Sequence, residues 1–176
     1  YFLQGHGEPL IDDSSPDGLS SWIEQLELER YDIHPLDLLQ TSRDGDAPTV
    51  PEDAVAVVVM RPKYAPSQGE NDLLLTYLGR GGSMLLVSDV GSPVPDLITR
   101  LGLSVLPGVA VDRRSMFPYW DRPIPNLGSH PINQDLRDNE LSVVLSHPAP
   151  FRLPASMEGI KMTSLLSLTR DGWIDR

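Results

Sequence analysis

The segment that most constrains the fold is Val55-Ala56-Val57-Val58-Val59-Met60, an unbroken apolar run rich in β-branched residues. Such a run lacks the in-out alternation of a strand with one wet face. It reads instead as a strand covered on both faces, as in the middle of a parallel sheet flanked by helices. The neighbouring segments fit that arrangement. Before it, Ser15-Pro16 places a capping hydroxyl ahead of a first-turn proline, and Leu19, Trp22, Ile23 and Leu26 recur at helical spacing. Residues 31–38 alternate like a second strand, followed by a polar loop over residues 41–49. After the run, Ser67 and Glu70 have capping-box spacing ahead of Leu73, Leu74, Tyr77 and Leu78. Gly79-Arg80-Gly81-Gly82 closes that helix. Residues 84–88 read as a strand, 95–103 as a short helix and 109–111 as a further strand. The alternation predicts a three-layer α/β domain with a mostly parallel sheet and right-handed crossovers.

Beyond Asp112 the pattern changes. Residues 113–135 carry Phe117, Pro118, Tyr119, Trp120, Pro123 and Pro125, too many prolines for a regular element and too many aromatics for a plain linker. The expected structure is an ordered but irregular excursion packed against the domain, whose aromatics cover the open side of the domain's own core, with a ligand groove or partner surface as the other reading. Residues 141–145 and 160–168 read as two C-terminal strands. The chain is thus expected to form one domain over 1–176, with βα units in 1–112 and the excursion and added strands in 113–176. At 176 residues it has the length to bury a core unaided.

The first strand ends in the most suggestive polar sequence. Tyr1-Phe2-Leu3-Gln4 breaks into Gly5-His6-Gly7-Glu8, as a buried strand does when it delivers polar side chains to the ligand-binding edge of an open α/β sheet. The opening residues also resemble the remnant of a cleaved tag, although Leu3 interrupts that match and the segment fits the sheet pattern. His6, Glu8, Asp89 at a later strand end, and His130 are the candidate ligand- or partner-binding residues. Together they offer imidazole and carboxylate groups of the type that hold a divalent ion, but no compact ligand spacing supports a metal site. The plainer reading is that His6 and Glu8 hydrogen-bond local backbone and fix the turn, and that Asp89 caps the following helix. His34 and His147, each beside a proline, read as structural.

Several activities find no residues to support them. The chain has no cysteine, so thiolate nucleophiles, thiolate zinc sites and disulfides are excluded. Ser88-Asp89-Val90-Gly91-Ser92 lacks the nucleophile-elbow pattern, and Gly5-His6-Gly7 lacks the lysine and hydroxyl of a phosphate loop. The formal charge of -11 is concentrated early: residues 1–53 hold 13 acidic groups against Arg30 and Arg43, whereas the remainder balances 12 against 12. That surface repels phosphate backbones, so nucleic acid is not an expected partner.

The order of short motifs resembles the extracytoplasmic domain of ABC-transporter auxiliary proteins of the GldG-like, gliding-motility type. The matching pieces are Tyr1-Phe2-Leu3 with Gly5-His6-Gly7-Glu8; Tyr31-Asp32-Ile33 leading to Leu36-Asp37-Leu38; and Pro51-Glu52-Asp53-Ala54 before the valine strand. They continue with Tyr77-Leu78, Gly81-Gly82, the strand ending at Asp89, Ser129-His130-Pro131-Ile132, and residues 165–173. Val90 after that Asp, and Arg61-Pro62-Lys63-Tyr64 after the third strand, depart from the family's pattern. The resemblance implies a flavodoxin-like sheet, similar to class I glutamine amidotransferases but without their cysteine. With the missing cysteine, elbow and phosphate loop, the reading is a non-catalytic binding or scaffolding domain, with no catalytic residue, no metal and no cofactor. Its partners would be ABC-transporter membrane and ATPase subunits or another envelope protein, with room for a small-molecule ligand. A chain starting within a strand fits a domain excised from a longer bacterial membrane protein and lying outside the cytoplasm, touching the membrane only through segments absent here. The alternative function is a divergent hydrolase acting on a glycan or peptide, with or without the assistance of a metal ion.

Overall fold

The computed structural model describes residues 1–39, 47–88, 90–154 and 161–176. Residues 41–46 of the polar loop, Asp89, and Ile160 at the start of the expected last strand lie outside the described residues. The chain divides into two compact units, the first formed by Tyr1–Ser88 and Ser92–Arg100, the second containing Leu101–Arg176.

The first unit is a mixed α/β structure around a four-stranded parallel sheet. Its elements are β1 (Phe2–Gln4), α1 (Ser20–Leu28), β2 (Pro35–Asp37), β3 (Ala56–Met60), α2 (Gln68–Gly79), β4 (Ser83–Val87) and α3 (Asp96–Arg100). The strand order is β2-β1-β3-β4, and every neighbouring pair is parallel. The valine run from Ala56 onward is β3, flanked on both sides, while Val55 lies before the strand and is exposed. Val57, Val58 and Val59 are all buried although they point alternately to opposite faces. On one face Phe2 and Val58 pack with Leu19 and Ile23 of the α1 segment, and Trp22 meets the Phe2 ring edge-on at 5.4 Å. Leu3, Val57 and Val59 belong to the other face, and α2 buries Leu74 and Tyr77.

Local chemistry sets the helix boundaries. Ser67 accepts the Glu70 N–H while the Glu70 carboxylate accepts the Ser67 N–H at 2.8 Å, so the expected capping box forms in full. The start of α1 differs from expectation. The Asp13 carboxylate accepts both the N–H and the hydroxyl of Ser15, which commits Ser15-Pro16 to a turn and delays the helix to Ser20.

The second unit holds short antiparallel pairs. Its elements are β5 (Ser104–Val105), β6 (Val109–Val111), β7 (Ser115–Met116), β8 (Tyr119–Pro123), β9 (Asn126–Leu127), a 3-10 turn (Pro131–Asn133), α4 (Gln134–Asp138), β10 (Phe151–Arg152), β11 (Leu166–Ser167) and β12 (Trp173–Asp175). The pairs are β10-β5, β11-β9, β12-β6 and the hairpin β7-β8. Three differences from the sequence reading stand out. Residues 113–135 form the ordered excursion expected, in short pieces of strand and turn, but its aromatics point outward rather than covering a core: Phe117 is 88% and Trp120 55% exposed. Residues 141–145 form no strand. Leu145 donates to the Pro123 carbonyl and His147 to the Asp121 carbonyl, while Pro148 and Pro150 only accept, from Ala110 and Leu106. Prolines have no N–H to return, so a ladder cannot propagate there. Among the described residues 161–168 of the other expected strand, only Leu166–Ser167 pairs.

Candidate functional site

In a parallel sheet of order β2-β1-β3-β4 the chain leaves β1 toward one side and β3 toward the other. The crevice between the β1 and β3 carboxyl ends is where open α/β sheets place ligands. Here that place is filled by the protein. Gly5 and Gly7, at φ of 112° and 79°, turn the chain sharply after β1, and His6 between them is buried. The His6 carbonyl accepts two hydrogen bonds from the loop after β3, from the N–H of Lys63 at 2.8 Å and of Tyr64 at 3.0 Å. The two loops that would bracket a ligand are stitched together.

The His6 ring is held just as closely. Its Nδ1 lies 3.1 Å from Glu8 Oε1, and the other Glu8 oxygen accepts the His6 backbone N–H at 2.7 Å. Its Nε2 lies 3.0 Å from Glu70 Oε1. That second approach is close but poorly aligned, since neither atom finds a hydrogen-bond partner by direction among the described residues. It is therefore a close polar contact rather than a linear hydrogen bond. All three side chains are at least nine-tenths buried. Neutral imidazole carries a single N–H, so satisfying both carboxylates requires one further proton in the cluster. Burial pushes the Glu70 carboxyl up, but hydrogen bonds from Ser67 and the adjacent His6 ring outweigh it and hold the group below its ordinary value. The two carboxylates flank opposite edges of the ring. No group of three His, Asp or Glu side chains among the described residues is placed to share a metal ion.

Gly7 is fitted to this turn. A β-carbon there would sit 3.0 Å from Lys63 Cβ, in a backbone conformation unfavourable to L-residues. Gly7→Ala is expected to lower stability by about 1–2 kcal/mol. Urea denaturation of the purified variant checks it; an unchanged midpoint would mean that the loop shifts freely and is not clamped.

The candidate residues thus separate. His6 and Glu8 are brought together, with Glu70 as an unforeseen third member. Its capping-box spacing was legible, but its free oxygen reaches a histidine 64 positions earlier in the chain. His130, in the second unit, accepts the Ile132 N–H at 3.2 Å and caps the 3-10 turn. Asp89 lies outside the described residues. A shallow groove of about 420 Å³ lies near the start of β3, lined by Glu52, Tyr77 and Arg80 among others. Its cation is already engaged, because Arg80 donates to the Val50 and Pro51 carbonyls.

These elements define a mixed α/β domain whose usual ligand crevice is closed by a buried histidine between two carboxylates. No family model and no curated protein matches the chain. A solved structure described as the "mmIFT52 N-terminal domain" shares the fold, with a TM-score of 0.65 at 15% identity, over 99% of this chain and 75% of the other. At that identity the likeness concerns the fold alone. Among the described residues no helix is long and apolar enough to cross a membrane.

Proposed function

We propose that this chain is a non-catalytic scaffolding or binding domain of flavodoxin-like type, acting as an auxiliary component of an ABC-type transport system on the extracytoplasmic side of a bacterial membrane. The observation that carries the scaffolding reading is the closed crevice. A general base must reach its substrate's proton, and His6 instead has both ring nitrogens against buried carboxylates, with its backbone carbonyl stitched to the β3 loop. The order β2-β1-β3-β4 supports the flavodoxin-like assignment, since it reproduces the start of that fold's strand order. The transport context rests on the motif order, from Gly5-His6-Gly7-Glu8 to Ser129-His130-Pro131-Ile132.

Two measurements test it. Purification of the full-length protein in mild detergent is expected to retain the permease and ATPase subunits of an ABC system. A screen of esters, peptides and glycosides, with and without divalent ions, is expected to show no turnover. Turnover lost at least a hundredfold in a folded Glu8→Gln variant would overturn the non-catalytic reading, and absence of transporter subunits would overturn the transport context.

A further inference from the structure

The second unit carries a cleft unrelated to the His6 cluster. Trp120 of β8 and Trp173 of β12 meet edge-to-face, with ring centroids 5.7 Å apart and planes at 75°. Both remain more than one-third exposed. With Arg113 and Asp171 they line an open cleft of about 370 Å³, at the small end of ordinary ligand sites, which span roughly 300–1,000 Å³. Among the described residues, the Arg113 guanidinium and the Asp171 carboxylate make no ion pair and no side-chain hydrogen bond, with each other or elsewhere.

This cleft is built on a rigid base. Asp112 is fully buried beside Arg113. Its carboxylate accepts the Thr169 N–H at 2.6 Å, the Thr169 hydroxyl at 2.8 Å and the Arg114 N–H at 2.9 Å. The Asp112 N–H donates to the Trp120 carbonyl at 3.1 Å, and the Thr169 hydroxyl accepts the Asp171 N–H at 3.2 Å. The Asp112 carboxylate therefore ties the segment carrying Arg113 to Thr169, two residues before Asp171, while the Asp112 backbone N–H holds Trp120 and the β12-β6 ladder holds Trp173. Such support restricts the loops before any ligand arrives and lowers the ordering entropy lost on binding.

We infer that this cleft is a binding site for a neutral pyranose sugar with equatorial hydroxyls. An indole face carries negative quadrupole charge and attracts the slightly positive axial C–H groups of such a ring. Equatorial hydroxyls at the rim donate to Asp171 and accept from Arg113. For a singly charged ligand the attraction of one of these side chains is offset by the repulsion of the other, whereas a neutral polyhydroxyl ring offers donors to Asp171 and acceptors to Arg113 without that opposition. An uninterrupted run of prolines offers carbonyls to Arg113 but no N–H for Asp171.

The probe is cellobiose, titrated into the intact protein while the three indole N–H signals are followed by NMR and assigned through single Trp→Phe variants. The Trp120 and Trp173 signals are expected to shift with a dissociation constant of about 1 mM, typical of a one-sided open site, while Trp22 stays fixed. Asp171→Asn and Arg113→Ala, at exposed positions that leave the fold intact, should each weaken binding about tenfold. The inference is overturned if cellobiose moves neither indole, if it binds the double variant as well as the natural protein, or if oligoproline shifts these signals and cellobiose does not.

Discussion

His6→Ala is expected to destabilise the first unit by about 3–5 kcal/mol, the usual consequence of leaving a buried charge without its partner. Deleting the ring leaves Glu8 Oε1 and Glu70 Oε1 facing a void, both in side chains that are almost wholly buried. The remaining carboxylate oxygens keep their backbone donors, His6 N–H for Glu8 and Ser67 N–H for Glu70, so neither group is free to leave. Trp22 packs on Phe2 and is the indole that reports on this unit, so urea denaturation followed through Trp22 in a Trp120→Phe/Trp173→Phe background isolates the effect. A loss below about 1 kcal/mol would show that the cluster is not an interdependent ionic unit.

The same cluster has a pH signature with a definite sign. The folded-state carboxyl of Glu70 titrates below its ordinary value of 4.5, so its contribution is fully present above about that pH. It is lost as pH falls through the depressed folded value. Glu70→Gln removes this acid-side loss, flattening the stability profile below pH 4.5 relative to the natural protein.

The parts of the fold legible in the sequence were those dictated by local chemistry. The valine run reads as a doubly covered strand because four β-branched residues leave no polar face, and β3 is flanked on both sides. Ser67 and Glu70 announce a capping box because both bonds lie within one turn. His6 and Glu8 were visible because glycines bracket the histidine. Glu70 as their partner was not, since nothing local encodes the approach of the α2 start to the β1 turn. The misread segments share another cause. Alternating patterns at 31–38 and 141–145 suggest strands, but pairing needs a partner edge with matching N–H groups. Only Pro35–Asp37 finds one in the first case, and the second meets chain interrupted by prolines. The aromatics of 113–135 were expected to cover the core. Hairpin β7-β8 instead turns at the Phe117-Pro118 tip, leaving Phe117 and Trp120 outward. A carboxylate directly after the Val-Ala-Val strand was the available sign of the Asp112 junction.

That junction gives the other large expected effect. Asp112→Ala should lower the stability of the second unit by about 3–5 kcal/mol. The substitution removes the acceptor for two backbone N–H groups, of Arg114 and Thr169, and for the Thr169 hydroxyl. Water cannot readily replace it, because Asp112 is fully buried and Gly172 approaches Oδ2 so closely that a β-carbon there would lie 3.0 Å away. Asp112→Asn keeps the shape but provides only one acceptor atom where two are used. It turns an amide N–H toward an existing donor, and a smaller loss of about 2 kcal/mol follows. The ratio of the two losses separates charge from shape. Burial pushes the Asp112 carboxyl up, yet the Arg114 and Thr169 hydrogen bonds prevail and hold it below its ordinary value of 3.8. Its stabilisation is therefore complete above about pH 3.8 and disappears as the pH falls through the lower folded value, a limb absent from Asp112→Asn. Urea midpoints read through Trp120 and Trp173 in a Trp22→Phe background decide the matter. If Asp112→Ala unfolds within about 1 kcal/mol of the natural protein, the carboxylate is not the tie between the 112–114 and 169–173 segments, and the support assigned to the tryptophan cleft falls with it.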